Sequence, residues 1–238
     1  MRAGIGLATL LALMALAGAL YLLSLPPVGD APARVAETLA SHGGSSIGDR
    51  PPYRLGAAVV AVEDEHFYAN PFVNVLDGAG RAAVATLHTS GDPGGSTIDQ
   101  QLAKQLYPEA GGLEGTLHEI GLGVKLALRY PKTRILAMYL DAVYFGHGYW
   151  GAEAAAEGYF GLWAGQLDWA EAALVAGLPQ APSAYDPLEH LPRAKARQRH
   201  VLDQLVANRY LTRAAASHAY AEALPLLRQP RGRPRVVG

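Results

Sequence analysis

The chain has 238 residues, of which 50% are apolar types and 17% are charged, with 20 Lys or Arg against 21 Asp or Glu. This composition excludes an intrinsically disordered chain, a collagen-like chain and a protein that binds nucleic acid through bulk positive charge. The absence of cysteine excludes a disulfide scaffold, a thiolate metal site and a cysteine nucleophile. The length suits one domain of about 150–200 residues plus a short additional segment.

The short additional segment is the apolar N-terminus. Residues 3–25 carry no charged side chain, and Pro26 and Pro27 follow them. A membrane-spanning helix needs about 20 such residues, and Arg2 before the run places the N-terminus in the cytoplasm by the positive-inside rule. The sequence therefore predicts a transmembrane anchor over residues 1–27, with a cleaved signal peptide as the alternative. Under either alternative, the remainder lies outside the cytoplasmic membrane.

Helical periodicity dominates the rest of the chain, and the alternation typical of strands is scarce. Helices are predicted over residues 34–41, 77–87, 117–130 and 132–144, and others begin at Ser96 or Thr97, Asp168, Pro192 and Thr212. Gly, Ser and Pro mark a linker at 43–52 and a loop at 89–95. The predicted organisation is a juxtamembrane linker at 28–52, a main domain at 53–210, and a C-terminal helix with a basic tail at 211–238.

Residues 94–106, with the sequence GGSTIDQQLAKQL, form the most distinctive polar segment. Thr97 and Gln100 have the spacing of a capping box, and the free N–H groups at such a helix N-terminus can bind an anion. The amides of Gln100 and Gln101 can bind sugar hydroxyls, and Lys104 suits a phosphate oxygen. The alternative is an ordinary amphipathic helix with a polar outer face. Its buried stripe is predicted at Ile98, Leu102 and Leu106.

Two carboxylates have neighbours that suit acid–base chemistry. Glu63 ends an apolar run, where partial desolvation would raise its pKa toward that of a general base. Glu119 lies in the charge-poor stretch 111–124. Two carboxylates on separate elements that flank a cleft are the usual catalytic groups for making or breaking a glycosidic bond. The pair His118 and Glu119 does not extend to a zinc-protease H-E-x-x-H motif, because Leu122 stands where the second His is required.

Four ordered blocks resemble the peptidoglycan glycosyltransferases, the family 51 transglycosylases. The segment at 94–106 resembles their G-x-S-T-I-x-Q-Q-x-x-K signature, and EDEHFY at 63–68 resembles their opening E-D-x-x-F-Y motif. YPKTRILAMYLDAVYFG at 130–146 is similar to their Y-S-K-x-x-I-L-E-x-Y-L-N-x-V-Y-F-G block, and residues 154–160 and 167–187 resemble the closing motif. The resemblance implies a monofunctional biosynthetic enzyme. Its fold would be mainly α, a lysozyme-like domain with a small membrane-proximal jaw after one transmembrane helix.

The resemblance also implies an activity, the polymerisation of lipid II into glycan strands during peptidoglycan synthesis. Glu63 would be the general base that takes a proton from the 4-hydroxyl of the acceptor. Glu119 would help the pyrophosphate leave, and Lys104 would bind that diphosphate. The sequence requires no cofactor, and a divalent cation, Mg²⁺ or Mn²⁺, held through Glu119 is the one candidate. The substrate-binding residues implied by the motifs are Asp64, Phe67, Ser96, Thr97, Gln100, Gln101, Lys104 and Arg129.

The resemblance implies partners and a location as well. The expected partners are lipid II, the growing glycan strand, membrane lipids and other cell-wall synthesis proteins, and no nucleic acid. The expected location is the cytoplasmic (inner) membrane, crossed once, with the catalytic domain on its outer side. Apolar side chains of the jaw such as Phe72, Val73 and Leu76 are expected to enter the lipid interface.

The chain departs from the family pattern where a diphosphate needs positive charge. Residues 105–124, which precede and surround Glu119, contain no Lys or Arg, and Asn70 and Phe72 replace a His and a Gly of the family. One alternative is therefore a catalytically weakened relative that binds lipid II or glycan as a scaffold, and a glycan-cleaving enzyme is another. Substitute cations are predicted from the basic segment 192–238 or, within about 10 Å of Glu119, from Arg81, Lys125, Arg129 or Arg134.

Overall fold

The computed structural model describes residues 2–68, 96–108 and 111–227, with side chains from Thr9 onward. The helix predicted over 77–87, the loop at 89–95 and Arg81 lie outside these ranges, as do the jaw residues Phe72, Val73 and Leu76. Within the described ranges the chain is helical and forms no strand, apart from an isolated bridge between Tyr144 and Trp150. The prediction of a mainly α fold is confirmed.

Ten α-helices and one 3-10 turn at Ala164–Gln166 make up this part of the chain. In chain order they are α1 (Arg2–Ser24), α2 (Ala31–Ser41), α3 (Tyr53–Glu63), α4 (Ile98–Leu106), α5 (Leu113–Arg129), α6 (Lys132–Ala142), α7 (Ala152–Phe160), α8 (Trp169–Gly177), α9 (Leu191–Ala207) and α10 (Arg213–Ala221).

Local capping signals set the starts of two helices that border the candidate site. At α4 the hydroxyl of Thr97 accepts from the Gln100 N–H at 3.3 Å, and Gln100 Oε1 accepts from the Thr97 N–H at 3.2 Å. At α8, Asp168 and Glu171 make the same reciprocal pair at 2.8 and 2.9 Å. Both predicted helix starts are confirmed. At each start, a reciprocal pair of residues satisfies N–H groups that the beginning of a helix leaves unpaired.

Other boundaries differ from the prediction. α5 begins at Leu113 rather than at 117, and α2 begins at Ala31 rather than at 34. α7 is absent from the predicted set, since six of its nine residues are buried and its sequence AEAAAEGYF has no apolar stripe. A helix enclosed on most sides loses the 3.6-residue periodicity on which prediction depends.

Two groups of helices meet at the end of α3. In the first, α3, α8 and α9 all pack against one another. In the second, α4 packs on α5 and on α6, while α2 covers α6. Tyr139, Tyr159, Phe67 and Phe145 are the largest side chains of the shared core. Glu63, the last residue of α3, therefore lies where the two groups adjoin.

α1 is the apolar helix at the N-terminus, and most of its described side chains are exposed. Its exposed large residues are Leu10, Leu11, Leu13, Met14, Leu16, Leu20, Tyr21 and Leu23. Of the helices described, none combines the length and the hydropathy that crossing a membrane requires. The transmembrane anchor therefore stays a prediction.

The linker that follows α2 is fastened to α6 by one buried acid. Asp141 accepts hydrogen bonds from the Ser46 hydroxyl at 2.5 Å and from the Ile47 N–H at 3.0 Å. Burial raises the pKa of Asp141 above its ordinary value, although these two hydrogen bonds and Arg134 act in the opposite direction. The folded state therefore binds a proton at Asp141 more tightly than the unfolded state does.

We expect Asp141→Asn to raise the unfolding temperature at pH 7 by about 2–4 °C, the shift that roughly 1 kcal/mol gives in a domain of this size. Ionised Asp141 costs stability above its folded pKa, and that cost disappears as the pH falls through the raised pKa toward the ordinary value of 3.8. The gain should therefore vanish in acid. Thermal unfolding followed by circular dichroism at both pH values checks this.

The matched control is Asp49→Asn, because the Asp49 side chain is 85% exposed and its ion pair with Arg134 lies at the surface. We expect this control to change stability by less than about 0.5 kcal/mol. Equal stability of the wild type and Asp141→Asn at pH 7, or the same difference at both pH values, would contradict the stated effect of burial.

Candidate active site

α4 presents three different sides to its surroundings. At about 100° per residue, Gln101 lies on one side, and Gln100 and Ala103 lie on another. Lys104 falls on the arc between them and is exposed, whereas Gln100 and Ala103 are buried. Lys104 therefore projects from α4 between the Gln101 side and the Gln100 side.

Glu63 lies against the Gln101 side of α4. Its side chain is 12% exposed, and its Oε2 accepts a hydrogen bond from Gln101 Nε2 at 3.1 Å. A guanidinium nitrogen of Arg197 lies 3.5 Å from its Oε1. A positive neighbour and a donated hydrogen bond both favour the ionised carboxylate, which is the form that accepts a proton.

The orientation of the Gln101 amide is set from inside the core. The hydroxyl of Tyr139, which is fully buried, donates to Gln101 Oε1 at 2.9 Å. Burial and the nearby charge of Glu63 hold the pKa of Tyr139 well above its ordinary value, so the hydroxyl remains a donor. Because the amide oxygen is occupied, the amide NH₂ group is directed to Glu63. Tyr139 was not singled out from the sequence, although it lies in the block at 130–146.

We expect Tyr139→Phe to lower the kcat of a reaction that uses Glu63 as its base about 5- to 10-fold, the effect of losing roughly 1 kcal/mol from one buried hydrogen bond. Loss of this bond frees the Gln101 amide to rotate away from Glu63. Steady-state kinetics of the purified protein checks this, with Tyr107→Phe as the control. The control also loses a phenol hydrogen bond, the part-buried bond of 2.6 Å from Tyr107 to Asp30, which lies away from Glu63. Equal losses of kcat in the two variants would contradict a specific role for Tyr139.

Arg197 reaches Glu63 from α9 because the facing residue of α8 is glycine. A Cβ atom at Gly177 would lie 2.7 Å from Arg197 Cγ, and Arg197 Nε donates to the Gly177 carbonyl at 3.3 Å. Arg197 belongs to the basic segment 192–238, which was predicted as one source of cations. The sequence did not indicate which of its ten Lys or Arg residues approaches Glu63.

Arg197 also borders a surface groove lined by Gln180, Tyr185, Arg193 and His200. The guanidinium of Arg197 lies 6.0 Å from the centre of the Tyr185 ring. Burial and the Arg197 charge lower the pKa of His200, which keeps its imidazole neutral at pH 7. The groove that Arg197 borders therefore carries two fixed positive charges, those of Arg193 and Arg197.

Glu119 is half-buried near the middle of α5. Gly123, one turn later, packs closely on α4, because a Cβ atom there would lie 3.2 Å from Gln100 Cγ. The segment 107–112 joins the two packed helices, and such short connections make neighbours antiparallel. The register that sets Gly123 against Gln100 then brings Glu119 level with Lys104. By this register both candidate carboxylates lie beside α4, Glu63 on the Gln101 side and Glu119 on the Gln100 side, and these two sides are about 100° apart around the helix.

Four of the motif residues predicted to bind substrate are buried inside the protein. Asp64 is buried and accepts from the Ile98 N–H at 3.1 Å, which satisfies a donor at the start of α4. Phe67 is fully buried, with Lys132 Nζ 4.5 Å from its ring centre. Thr97 and Gln100 are buried in the capping box. These placements favour structural roles for the four implied substrate-binding residues.

The two remaining substrate-binding candidates are exposed. The Ser96 carbonyl accepts from Gln101 Nε2 at 3.3 Å, so Ser96 lies at the mouth of the site. Arg129 ends α5 with its guanidinium 5.5 Å from the Tyr130 ring centre. Ten residues separate it from Glu119, which is about 15 Å along a helix axis.

The other predicted substitute cations have partners elsewhere. Lys125 Nζ donates to the Leu25 carbonyl at 2.7 Å, and Arg134 pairs with Asp49. Lys132, which the sequence did not single out, pairs with the buried Asp99 at 2.6 Å. Of the candidates within the described ranges, Arg197 is the cation found in contact with one of the two candidate carboxylates, Glu63.

The possible metal site consists of one protein ligand. Within the described ranges no three His, Asp or Glu side chains come together as a metal-binding group. Glu119 is a single carboxylate, and Mg²⁺ is commonly held by one or two carboxylates together with substrate phosphates. A cation that takes its other ligands from a bound phosphate group would therefore fit this donor set, whereas a cation held by protein ligands alone would not.

Comparison with known proteins identifies the family. The family described as Transglycosylase matches residues 37–206. The chain belongs to the transglycosylase family. Penicillin-binding protein 2a of Streptococcus pneumoniae is 39% identical over 158 residues, which cover 66% of this chain and 21% of that protein. A Cupriavidus necator protein named as a transglycosylase is 36% identical over 176 residues, which cover 74% of this chain and 76% of its own.

The chain thus spans about a fifth of the length of the penicillin-binding relative. The crystal structure of penicillin-binding protein 1A from Haemophilus influenzae matches 56% of this chain and 17% of its own, at 28% identity. The TM-score of 0.40 is too low for a comparison of the folds. The transglycosylase match contains Glu63, Lys104, Glu119 and Arg197, and it confirms the resemblance carried by the motif blocks.

Proposed function

We propose that this transglycosylase polymerises lipid II into glycan strands. The observation that supports this most directly is the setting of Glu63, a largely buried carboxylate oriented by the Gln101 amide and bordered by the Arg197 guanidinium. A carboxylate held in one orientation, next to an arginine that borders a surface groove, suits a general base for a sugar hydroxyl. The relatives whose names include transglycosylase or penicillin-binding protein support the same reaction class.

The reaction is one inverting displacement. The 4-hydroxyl oxygen of the acceptor sugar forms a bond to the anomeric carbon of the donor, and the bond from that carbon to the lipid diphosphate breaks. Glu63 takes the hydroxyl proton, and the bonding electron pair leaves with the diphosphate. An acceptor must fit between the two carboxyl groups, which in inverting hydrolases are roughly 6.5–9.5 Å apart.

The departing diphosphate needs positive charge, and Lys104 supplies it. Its ammonium group is exposed on α4, level with Glu119 and one turn from the Gln101 amide. A fixed cation where negative charge develops stabilises the transition state more than the ground state. A divalent cation, when bound between Glu119 and the diphosphate, would neutralise further charge on the leaving group.

We also place the catalytic domain at the outer face of the cytoplasmic membrane, attached through α1. The uncharged run 3–25, Arg2 before it and the exposed apolar side chains of α1 support this placement. Membrane attachment suits substrates with long lipid tails, because enzyme and substrates then meet at one surface. Membrane lipids, lipid II, the growing strand and other cell-wall synthesis proteins are the proposed partners.

Incubation of the purified full chain with lipid II in detergent and lipid tests this function. We expect glycan strands that a muramidase degrades, and none from Glu63→Gln. Lipid II binding without glycan from the wild type would instead establish the scaffold alternative. Cleavage of preformed glycan without polymerisation would establish a hydrolytic enzyme.

A further inference from the structure

A second surface cleft lies between the start of α3 and the start of α8, and we name it the α3–α8 cleft. It has a volume of about 320 Å³, and its lining includes Tyr53, Arg54, Ala164, Gly165 and Trp169. The Tyr53 and Trp169 rings meet edge to face, with their centres 5.9 Å apart. Tyr53 and Arg54 lie outside the motif blocks, and the proposed reaction gives them no role.

Aromatic side chains at this cleft are open to solvent. Tyr53 is 71% exposed, and Trp163, which immediately precedes the lining residue Ala164, is 70% exposed. An edge-to-face pair of rings leaves ring faces uncovered. Exposed apolar groups gathered at a concave surface mark a ligand-binding groove, whereas single exposed residues need no explanation.

Arg54 adds a positive charge to the α3–α8 cleft. Its Nη1 donates to the Leu167 carbonyl at 3.3 Å, which ties the guanidinium to the segment before α8. A guanidinium has five N–H donors, so this bond leaves donors for a carboxylate. The cleft therefore offers a ligand both aromatic ring faces and one oriented cation.

A row of tyrosines connects the cleft with the surroundings of Glu63. Burial and the nearby Tyr53 raise the pKa of Tyr210, and burial and the nearby Tyr210 raise the pKa of Tyr68. Such electrostatic effects require that the three phenols follow one another closely. Tyr68 is 55% exposed and lies five residues after Glu63. Tyr53 and Glu63 begin and end α3, which separates them by about 15 Å along the helix axis.

We infer that the α3–α8 cleft binds the glycan strand at sugars remote from the bond that forms beside Glu63. This inference rests on the proposed function. Sugar rings have apolar C–H faces that pack on the electron-rich faces of aromatic rings. Alternate sugars of a peptidoglycan strand carry a lactyl group, whose carboxylate suits the guanidinium of Arg54. A protein partner would need an interface of more than about 1,000 Å², whereas a cleft of this size admits a single narrow chain.

Binding of the strand at two places has a consequence for its length. A strand held both beside Glu63 and in the α3–α8 cleft stays on the protein while the next unit is added. Loss of the cleft contacts should therefore release strands earlier. We expect Tyr53→Ala to shorten the strands made from lipid II at least about twofold, as measured by gel electrophoresis.

Direct binding of purified strands tests the inference without lipid II. The probe consists of uncrosslinked, peptide-free strands of alternating N-acetylglucosamine and N-acetylmuramic acid, added to the full chain. Tryptophan fluorescence reports the binding, because Trp163 and Trp169 lie at the cleft whereas the third tryptophan, Trp150, stacks on His42.

We expect Tyr53→Ala to raise the Kd for these strands about 5- to 10-fold, the effect of losing one aromatic contact. Tyr53→Phe should bind as the wild type does, because it keeps the ring. Leu128→Ala is the matched control for removing an exposed apolar side chain, since Leu128 is 60% exposed on α5. An unchanged Kd in Tyr53→Ala would overturn the inference.

Chitin oligomers of the same length test the part played by Arg54, because they have the same ring faces without the carboxylate. The wild type should bind them about tenfold more weakly than the peptidoglycan strands. Arg54→Met should bind both probes equally weakly. Equal affinity of the wild type for the two probes would overturn the assignment of a carboxylate-bearing glycan to this cleft.

Other occupants of the cleft give different results. Strand binding that appears only after removal of residues 228–238 would mean that this segment fills the cleft, which overturns the inference. Self-association that Tyr53→Ala abolishes, without strand binding, would assign the cleft to a second copy and also overturn it. Polymerisation without strand binding at the cleft overturns this inference alone. Strand binding without polymerisation supports the site and overturns the proposed reaction.

Discussion

Glu63→Gln should lower kcat for lipid II polymerisation at least about 100-fold, since general-base catalysis contributes about 10²–10⁴-fold. Glutamine keeps the size of the side chain and its ability to accept the Gln101 hydrogen bond, but it cannot take the proton of the acceptor hydroxyl. KM should change much less than kcat, because the substrate contacts remain. Initial rates with fluorescent lipid II, at saturating and low substrate, measure both parameters.

Glu65→Gln is the matched control for this substitution. Glu65 lies two residues further along the chain, but its side chain is 49% exposed and lies 4.0 Å from the equally exposed His66. We expect it to retain wild-type kcat. A rate for Glu63→Gln within a few-fold of the wild-type rate would show that Glu63 is not the general base. Equal losses in both variants would show that the motif tolerates no change of charge.

Lys104→Met should lower kcat by about 10²–10³-fold, the range found when one donor to a developing charge is removed. Methionine retains most of the length and apolar stem of lysine without its ammonium group. Because residues 105–124 supply no other cation, the chain has little to replace Lys104 at the diphosphate. Single-turnover rates with lipid II separate this effect on chemistry from product release.

Gln105→Met controls for the change of surface on α4, because Gln105 is the next residue and is also exposed. It should retain activity. Lys104→Arg should recover part of the rate, since arginine keeps the charge. Wild-type rates for Lys104→Met would contradict this role of Lys104. They would mean that other cations, such as Arg193 and Arg197 of the surface groove, stabilise the leaving group.

Features encoded by neighbouring residues could be predicted from the sequence. The capping pair Thr97 and Gln100 fixes the start of α4 through contacts three residues apart. The motif blocks predicted Glu63 and Gln101 as site residues, and the structure joins them by a hydrogen bond. Their partners were not predicted, because Tyr139 is 38 residues from Gln101 and Arg197 is 134 residues from Glu63.

A sequence motif also does not show whether each of its residues binds substrate or stabilises the fold. Asp64 and Phe67 belong to the same block as Glu63, yet one satisfies the start of α4 and the other fills the core. A motif does not reveal burial, so the sequence could not indicate these contacts, and substrate-binding roles for Asp64 and Phe67 stay predictions. Gly177 shows the same limit, since its missing Cβ becomes meaningful only beside Arg197.

We expect Glu63 and Glu119 to face one substrate site from two sides of α4. A spin-label pair tests it in the full chain, which has no native cysteine to interfere. The Glu63→Cys/Glu119→Cys variant, labelled with nitroxides, should show a continuous-wave spectrum broadened by short-range magnetic coupling, as expected for carboxyl groups separated by roughly 6.5–9.5 Å or somewhat more. A spectrum equal to the sum of the two singly labelled variants would place the two carboxylates on separate surfaces and contradict the proposed mechanism.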